Sequence, residues 1–273
     1  MTASVLEIYV YPIKSMAGVR LMSCPVERYG LARDREFMLV DDQGVFISQR
    51  QEPKMALMDV GFTSDGLQLD ATRLGLSACM QVITEDFAQQ GTAEIWGQSV
   101  EVLYGPQDVD DFFSHLFERS CRLVRMPPDR RRMVTHAQDV HETSFADSLP
   151  IMMANVNSLH ALNDRIQRNG VDQVAMDRFR PNIVLAGIPA FAEDGFSTIG
   201  NLHATFEVLK ACSRCVLVNV NQQTAFVGQE PLRTLADFRR FGNKVHFGIH
   251  TRMISDPFTL AVGDELTCFN EES

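Results

Sequence analysis

The sequence lacks an uninterrupted apolar segment long enough to cross a membrane, and its first residues lack the pattern of a cleavable leader. No run of about 18 apolar residues occurs in the chain. The first residues, MTASVLEIYVYPIKS, contain no basic region followed by an apolar stretch and a small-residue cleavage site. We therefore predict a cytoplasmic protein that is not associated with a membrane.

Basic residues are fewer than acidic residues. The 273 residues include 25 lysine and arginine residues against 35 aspartate and glutamate residues, so the formal net charge is −10 at pH 7. Nucleic acid is not an expected partner, because binding to phosphates requires a basic surface. A local basic cleft remains compatible with this total, because a ligand responds to the field at its own site.

Cysteine is sparse, and only two of the six cysteines lie close together in the sequence. They occupy positions 24, 79, 121, 212, 215 and 268. A disulfide framework is typical of small secreted domains rather than of an intracellular chain of this length. We therefore expect no such framework, and the pair Cys212 and Cys215 needs its own explanation.

The first 125 residues have mainly the pattern of β-strands. Strand-like runs flank turn signals at Asp42-Gln43-Gly44, Ser64-Asp65-Gly66 and Gly97-Gln98, which predicts three hairpins. The stretch PQDVDDFFSHLFERS (106–120) instead has apolar residues at helical spacing and predicts a helix.

The rest of the chain combines strands with two more predicted helices. Residues 127–148 look irregular and polar, which predicts a long loop of the kind that often carries function. Helices are predicted for VNSLHALNDRIQRNG (156–170), capped by Asn157 or Ser158, and for PLRTLADFRRFG (231–242). The other apolar runs, including CVLVNV (215–220), are predicted as strands.

Many antiparallel strands with few helices favour an α+β fold built around a barrel-like sheet. We place a domain boundary near residue 125. This gives a strand-rich N-terminal domain (1–125) and a C-terminal domain (126–273).

The segment ACSRCVLVNV (211–220) leaves several interpretations of the cysteine pair open. A structural zinc site needs four ligands, and neither a second pair nor matching histidines lie nearby in the sequence. A redox dithiol would begin a helix, whereas a strand is predicted after Cys215. Burial in the core remains an option for Cys212. Cys215 directly follows Arg214, whose charge favours the thiolate that binds metals or attacks an electrophile.

Several stretches, in this order, resemble the MOSC-domain family, and they run almost from end to end of the chain. They are VYPIKSMAG (10–18), RDREFMLV (33–40), SQRQEP (48–53), FRPNIVLAG (179–187), ACSRC (211–215) and VGDE (262–265). The pattern is most similar to YcbX-like bacterial proteins and the mitochondrial amidoxime-reducing component. The resemblance implies a mostly antiparallel, β-barrel-like MOSC domain interlocked with a MOSC N-terminal β-barrel domain, so that both halves share one cleft.

The resemblance also implies a molybdenum pyranopterin cofactor (molybdopterin), with Cys215 as the metal ligand and catalytic residue. The cofactor contacts that carry over to this sequence are Lys14, Ser15, Arg35, Ser148, Arg180, Asn182, Ser213 and Arg214. These residue types suit the ligand, because the cofactor is anionic and arginine binds phosphate through two parallel hydrogen bonds. A soft thiolate is also a suitable ligand for a thiophilic metal.

The activity that the resemblance implies is a molybdenum-dependent oxidoreductase. Its substrates would be small N-hydroxylated compounds, namely amidoximes, hydroxylamines or N-hydroxylated bases. A carrier of the cofactor or of sulfur, without reductase turnover, is the alternative, and a zinc-binding interaction module is a third hypothesis.

Two features depart from the family pattern. HFGIHTRMI (246–254) stands where relatives often have F-G-Q-N, and we interpret its His250 as structural rather than as a proton donor. Asp147 is interpreted as a cap or turn residue.

No fused ferredoxin domain is expected, because Cys268 alone cannot hold an iron–sulfur cluster. Electrons would therefore come from a separate donor protein, which the loop 130–132 could help to dock, although a solvated loop is the commoner role of such a run.

Overall fold

The computed structural model describes residues 1–270. The strands are Thr2–Val10 (β1), Val19–Leu21 (β2), Ser23–Glu27 (β3), Gly30–Leu31 (β4), Phe37–Val40 (β5), Asp59–Phe62 (β6), Gly66–Asp70 (β7), Cys79–Ile83 (β8), Gln89–Ile95 (β9), Gln98–Tyr104 (β10), Arg122–Arg125 (β11), Arg132–His136 (β12), Asp139–Thr143 (β13), Ile151–Asn155 (β14), Ile183–Ala186 (β15), Phe196–Gly200 (β16), Thr205–Arg214 (β17), Arg240–Phe241 (β18), Lys244–Met253 (β19), Phe258–Ala261 (β20) and Glu265–Asn270 (β21). The α-helices are Gln107–Phe117 (α1), Val156–Arg168 (α2) and Leu232–Phe238 (α3).

A closed ring of seven strands forms the largest sheet. Its order is β14-β15-β1-β21-β16-β17-β19, and pairing of β14 with β19 closes the ring. β14 and β15 are parallel, and the other neighbours in the ring are antiparallel. Buried aliphatic and aromatic residues such as Val5, Ile183 and Phe206 form one core cluster with residues from all seven strands. This confirms the predicted α+β class with a barrel-like sheet.

The two halves of the chain interlock through their strands. β1 comes from the first ten residues but lies between β15 and β21 in the ring. β20, from the end of the chain, pairs with β3 near its beginning. The interlocked arrangement is therefore confirmed, whereas the boundary near residue 125 stays a prediction.

Two smaller sheets and α1 make up most of the N-terminal part. The first sheet has the order β5-β11-β10-β9 and the second β6-β7-β8. Apolar residues of β5, β7, β11 and α1 belong to a second core cluster. The predicted hairpins at Ser64-Asp65-Gly66 and Gly97-Gln98 are confirmed as β6-β7 and β9-β10. At Asp42-Gln43-Gly44 the chain turns, but an isolated bridge between Val40 and Phe46 takes the place of the second strand of the predicted hairpin.

Three local predictions were wrong. Residues 127–148 are not an irregular loop, because β12 and β13 form a hairpin within them. CVLVNV is not a strand, because β17 ends at Arg214 and a short 3-10 helix, Val216–Asn219, follows. The start of α2 is capped by Asn155, whose side-chain oxygen accepts a hydrogen bond from the Asn157 backbone nitrogen at 2.9 Å.

Across residues 1–270, none of the helices combines the length and the apolar character needed to cross a bilayer.

Candidate functional site

One pocket brings together all nine residues that the sequence assigned to a cofactor site. Its cavity measures about 290 Å³. The nine are Lys14, Ser15, Arg35, Ser148, Arg180, Asn182, Ser213, Arg214 and Cys215. They come from widely separated segments of both halves of the chain, as a shared cleft requires. Their individual roles as ligands stay predictions.

Unusual backbone conformations direct several of these side chains. Ser15, Arg35 and Arg180 have φ angles of 69°, 51° and 51°, in the left-handed region that residues with side chains rarely adopt. Hydrogen bonds stabilise two of these conformations. The Arg35 backbone nitrogen donates to the Tyr11 carbonyl at 2.8 Å, and Gln49 Nε2 donates to the Ser15 carbonyl at 2.6 Å. Strained backbone of this kind concentrates at functional sites.

Lys14 and Asp147 form an ion pair in the pocket. Lys14 is only 4% exposed, and its Nζ also donates to the Phe145 carbonyl at 2.8 Å. Burial lowers the pKa of Lys14 to about 8, although Asp147 opposes the shift. For Asp147 the desolvation in the pocket would raise the pKa, but Lys14 outweighs it and holds that pKa at about 2. Asp147 lies in a bend of the backbone, as a turn residue would, and its carboxylate is in addition the ion-pair partner of Lys14, which the sequence interpretation did not include.

The Arg35 guanidinium is fixed by neighbours on several sides. It forms an ion pair with Asp34, and it donates to the side-chain oxygen of Asn182 at 3.2 Å and to the Arg180 carbonyl at 3.3 Å. Asp34 in turn accepts a hydrogen bond from the Tyr11 backbone nitrogen at 2.8 Å. Arg35 is therefore held in one orientation before any ligand binds.

Asn182 is almost fully buried, and its amide is already engaged. Besides accepting from Arg35, its Oδ1 accepts from the Met152 backbone nitrogen at 3.2 Å, and its Nδ2 donates to the Tyr9 carbonyl at 3.2 Å. These contacts join β1 to β14. The Asn182 side chain thus orients Arg35 within the pocket wall.

The ring of Tyr11 lies against two arginines of the pocket. The guanidinium carbons of Arg35 and Arg180 lie 4.6 Å and 4.2 Å from the centroid of its ring. The negative faces of an aromatic ring attract cations, and the Tyr11 hydroxyl is anchored by donating to the Pro181 carbonyl at 3.0 Å. Sequence inspection missed Tyr11, although it lies inside the VYPIKSMAG stretch.

Arg180 carries a buried donor without a partner. Its Nη1 donates to the Met16 carbonyl at 2.7 Å, whereas its Nη2 is buried and has no hydrogen-bond acceptor within residues 1–270. Burial lowers the pKa of Arg180 to about 10, so the side chain remains charged at neutral pH. An unmet charged donor is costly, and an anion in the pocket would satisfy it.

An irregular pairing of β17 with β19 lies directly beside the site. The register shifts between Val208 and Lys210, and again between Ala211 and Ser213. Gly248 on β19 has φ +73°, and a Cβ there would lie 2.5 Å from the Met153 carbonyl oxygen. Bulges of this type change the direction in which side chains point.

The two cysteines of the pair occupy different environments. Cys212 is buried, and burial raises the pKa of its thiol. Cys215 is exposed and precedes the 3-10 helix Val216–Asn219. Arg214, between them, donates to the carbonyl oxygens of Phe247 at 2.8 and 2.9 Å and of Phe179 at 3.1 Å. Cys212 is thus a core residue, and Cys215 presents its sulfur to the pocket.

Three cationic residues and one tryptophan in the pocket had not been identified from the sequence: Arg50, Arg178, Lys210 and Trp96. Arg50 Nη2 lies 3.4 Å from the Cys215 sulfur, and Lys210 Nζ donates to the Ser148 hydroxyl at 3.0 Å. Arg50 lies within the SQRQEP stretch, which was the available signal. No local pattern distinguishes the other three.

The pocket is strongly cationic although the chain is acidic. Seven lysine and arginine residues line it, namely Lys14, Arg35, Arg50, Arg178, Arg180, Lys210 and Arg214, against the single carboxylate of Asp147 among the lining residues described. Within residues 1–270, only Lys14 and Arg35 of these seven pair with a carboxylate. Unpaired cations around a concave site favour an anionic ligand.

His250 also lines the pocket, but it is neutral. Burial, aided by the charges of Arg214 and Lys210, lowers the pKa of His250 to about 3. Its Nδ1 is buried and has no hydrogen-bond partner among the residues that the structure describes. An imidazolium does not form near neutral pH, which agrees with the structural interpretation of His250.

Comparison with known families matches both halves of the chain. Residues 2–120 match the family described as MOSC N-terminal beta barrel domain, and residues 140–267 match the MOSC domain.

Relatives with established names cover most of the chain. A molybdenum cofactor sulfurase from Solanum lycopersicum is 29% identical over 285 residues, an alignment that covers 95% of this chain and 35% of the sulfurase. The chain thus spans about a third of the length of that relative. Mitochondrial amidoxime-reducing component 1 from Mus musculus is 28% identical over 282 residues, covering 96% of this chain and 81% of the relative. A crystal structure of the YuaD protein from Bacillus subtilis aligns over 100% of this chain and 98% of its own, at 11% identity and a TM-score of 0.46.

Proposed function

Because the chain belongs to the family that joins a MOSC N-terminal β-barrel domain to a MOSC domain, we propose that its pocket binds the molybdenum pyranopterin cofactor. Cys215 is the proposed protein ligand of the metal. The observation that supports this most directly is the convergence of seven cations and one solvent-accessible thiol on a single pocket.

The donor set in the pocket fits such a cofactor. The phosphate and dithiolene groups are anionic, and Arg180 offers a buried charged donor that lacks a partner in the described part of the chain. Arg35 is held ready beside it by Asp34 and Asn182, which reduces the entropy lost on binding. The Cys215 sulfur is a soft ligand of the type that thiophilic metals prefer.

We further propose that the protein reduces N-hydroxylated compounds. The bound cofactor would supply two-electron redox chemistry at its metal. In balanced form, the N–OH group takes up two electrons and two protons, the N–O bond breaks, and an N–H group and water result. The electrons would come from a separate donor protein, and the cytoplasm is the proposed location.

The chain's own residues would bind and orient the reactants. Lys14, Arg35 and Arg180 would hold the anionic part of the cofactor, and Arg214 would add its charge next to Cys215. Asp147 holds the Lys14 ammonium in place. His250 is not proposed as a proton donor, since burial keeps its imidazole neutral.

A carrier of the cofactor or of sulfur is the second candidate. The exposed position of the Cys215 sulfur supports it, because a group to be transferred must be reachable by another protein. In that case Cys215 would release the cofactor or bear a persulfide, and no reduction would occur.

The proposal is tested by purifying the chain from a host that makes the cofactor. We expect stoichiometric molybdenum, and reduction of benzamidoxime with a chemical electron donor. Cys215→Ser should lose the activity and most of the metal, whereas Cys79→Ser, which changes an exposed cysteine that does not line the pocket, should retain both.

Each alternative outcome has a distinct meaning. Stoichiometric molybdenum without reduction of any N-hydroxylated substrate would refute the reductase, and a mass increase of one sulfur on Cys215 would favour the carrier. Zinc in place of molybdenum would favour an interaction module. Full metal loading and turnover in Cys215→Ser would refute the site itself.

A further inference from the structure

Arg50 and Trp96 form a separate part of the pocket, which we call the Arg50–Trp96 wall. Both side chains line the cavity, and both are exposed, unlike the buried Lys14 and Arg180 and the partly buried Arg35. The Arg50 guanidinium carbon lies 4.8 Å from the centroid of the Trp96 ring. The deep part of the pocket is therefore lined by buried cations, and the part nearest the solvent by one arginine and one indole.

Arg50 is placed directly beside the proposed metal ligand. Its Nη2 lies 3.4 Å from the Cys215 sulfur, and within residues 1–270 it pairs with no carboxylate. A guanidinium carries five N–H donors and no acceptor. The donors that are not directed at the sulfur remain available to an oxygen atom brought to the same place.

The turn that carries Arg50 is rigidly attached to the segment after Cys215. Gln49 is fully buried and exchanges two amide hydrogen bonds with Gln222, at 3.0 and 3.1 Å. Gln49 also donates to the Ser15 carbonyl at 2.6 Å. This link fixes the distance between Arg50 and Cys215 although 165 positions separate them in the sequence.

Trp96 is held in a conformation that a bulky residue rarely adopts. Its φ is +55°, in the tight turn between β9 and β10, and its ring packs against Phe46 with centroids 4.7 Å apart. Even so, 44% of the residue stays exposed. A strained, partly exposed aromatic residue at the edge of a pocket is typical of a binding surface.

We propose that the Arg50–Trp96 wall is the substrate-binding surface and selects planar aromatic N-hydroxylated compounds. Trp96 stacks against the flat ring system of the substrate, and Arg50 donates a hydrogen bond to the oxygen of the N–OH group and directs it toward the Cys215 side of the pocket. Stacking favours a flat, apolar ring over a flexible alkyl chain. This inference rests on the proposed function.

The decisive kinetic experiment uses Trp96→Ala, Trp96→Phe and Arg50→Ala in the molybdenum-loaded protein, with rates normalised to bound molybdenum. Benzamidoxime is compared with an aliphatic N-alkylhydroxylamine. For Trp96→Ala we expect KM for benzamidoxime to rise about tenfold with little change in kcat. KM for the aliphatic substrate should stay within about twofold of the wild-type value. Trp96→Phe, which keeps an aromatic ring, should bring KM for benzamidoxime most of the way back to the wild-type value. Arg50→Ala should raise KM for both substrates, because both present the N–OH oxygen.

Binding is measured independently by fluorescence, because Trp96 is the only tryptophan of the chain. Benzamidoxime should quench Trp96 emission with a saturable curve, and Arg50→Ala should weaken the apparent affinity about tenfold. Phe269→Ala, which removes an exposed aromatic residue outside the pocket, serves as the control and should change neither measurement.

The outcomes separate this inference from the proposed function. An active wild-type protein whose KM values are unaffected by Trp96→Ala, or raised equally for both substrates, would overturn the stacking role. If the wild-type protein reduces nothing, the proposed function fails, and the titration still decides the inference: saturable quenching weakened by Arg50→Ala supports it, and absence of quenching overturns it.

Discussion

Lys14 is a buried lysine whose pKa lies close to physiological pH. Desolvation lowers that pKa to about 8, from an ordinary value of 10.5, even with Asp147 beside it. In the free protein the Lys14 ammonium therefore loses its proton near pH 8, well below the ordinary lysine value. A bound anion would favour the charged form, so binding and protonation of Lys14 are linked.

This linkage predicts that the cofactor is retained less well in alkaline solution. Above pH 8 the free pocket has a neutral Lys14, and anion binding must then take up a proton, so affinity should fall by up to about tenfold per pH unit. Molybdenum that remains bound after gel filtration between pH 7 and 9.5 measures the effect. Lys14→Arg keeps its charge throughout this range and should show a flatter profile. Equal retention by the wild-type protein at pH 7 and 9.5 would contradict the assignment.

The stability of the metal-free protein should change in the opposite direction, increasing as the pH is raised. Between pH 8 and the ordinary lysine value the unfolded chain binds the Lys14 proton and the folded chain does not, so the free energy of unfolding rises with pH across this window. Urea denaturation of metal-free protein at pH 7.5 and 9.5 therefore provides an internal control for the sign of the shift.

Among the secondary-structure elements, the paired strands β17 and β19 determine where the cysteine points. Their two register shifts lie between Val208 and Lys210 and between Ala211 and Ser213. Opposite the second shift, Gly248 adopts a positive φ angle. Any other residue at 248 would bring its Cβ against Met152 and the Met153 carbonyl. The position of Cys215 thus depends on a glycine 33 residues further along the chain.

Gly248→Ala is predicted to destabilise the protein substantially. An L-residue at positive φ costs about 1–2 kcal/mol, and the steric overlap adds about 1–3 kcal/mol, so the free energy of unfolding should fall by about 2–5 kcal/mol. Urea denaturation measures the change. Gly195→Ala is the matched control, because a Cβ there meets no atom within 4 Å, and a difference between the two variants below about 0.5 kcal/mol would refute the argument.

Secondary-structure elements with strong local patterns were predicted correctly from the sequence, whereas elements whose conformation depends on tertiary packing were not. Helix α1 and the hairpin at Gly97 carry clear periodicity and turn signals, and both are present. The run CVLVNV has β-branched residues, but Val218 and Asn219 are buried in a 3-10 helix, a choice set by tertiary contacts that no local propensity encodes. The hairpin β12-β13 was missed because its strands carry many charged and polar side chains.

At the scale of the whole molecule, the site is assembled from segments that are far apart in sequence. Family motifs could identify Lys14, Arg180 and Cys215 because each lies in a recognisable stretch. They could not identify Trp96, which reaches the pocket only through the fold. The same limit applies to the positive φ angles of Ser15 and Arg35, since neither residue type predicts that conformation.

The interlocked ring predicts that the C-terminal part cannot fold without β1. A fragment of residues 126–273 would lack the strand between β15 and β21, together with the buried side chains of Val5, Ile8 and Val10. Each is worth about 1.5–3 kcal/mol on burial, and their total is comparable to the roughly 5–15 kcal/mol that stabilises a typical domain. The unpaired edges of β15 and β21 would also be exposed to aggregation.

We therefore expect the fragment 126–273 to be insoluble or to unfold without a cooperative transition, as measured by circular dichroism and urea denaturation. Fusing residues 1–22, which contain β1 and β2, ahead of residue 126 restores the ring and should recover at least part of the cooperative transition. The full-length chain is the reference. A fragment of 126–273 that unfolds cooperatively with the midpoint of the full-length chain would show that β1 is dispensable, and the shared cleft would then have to form between independently folding parts.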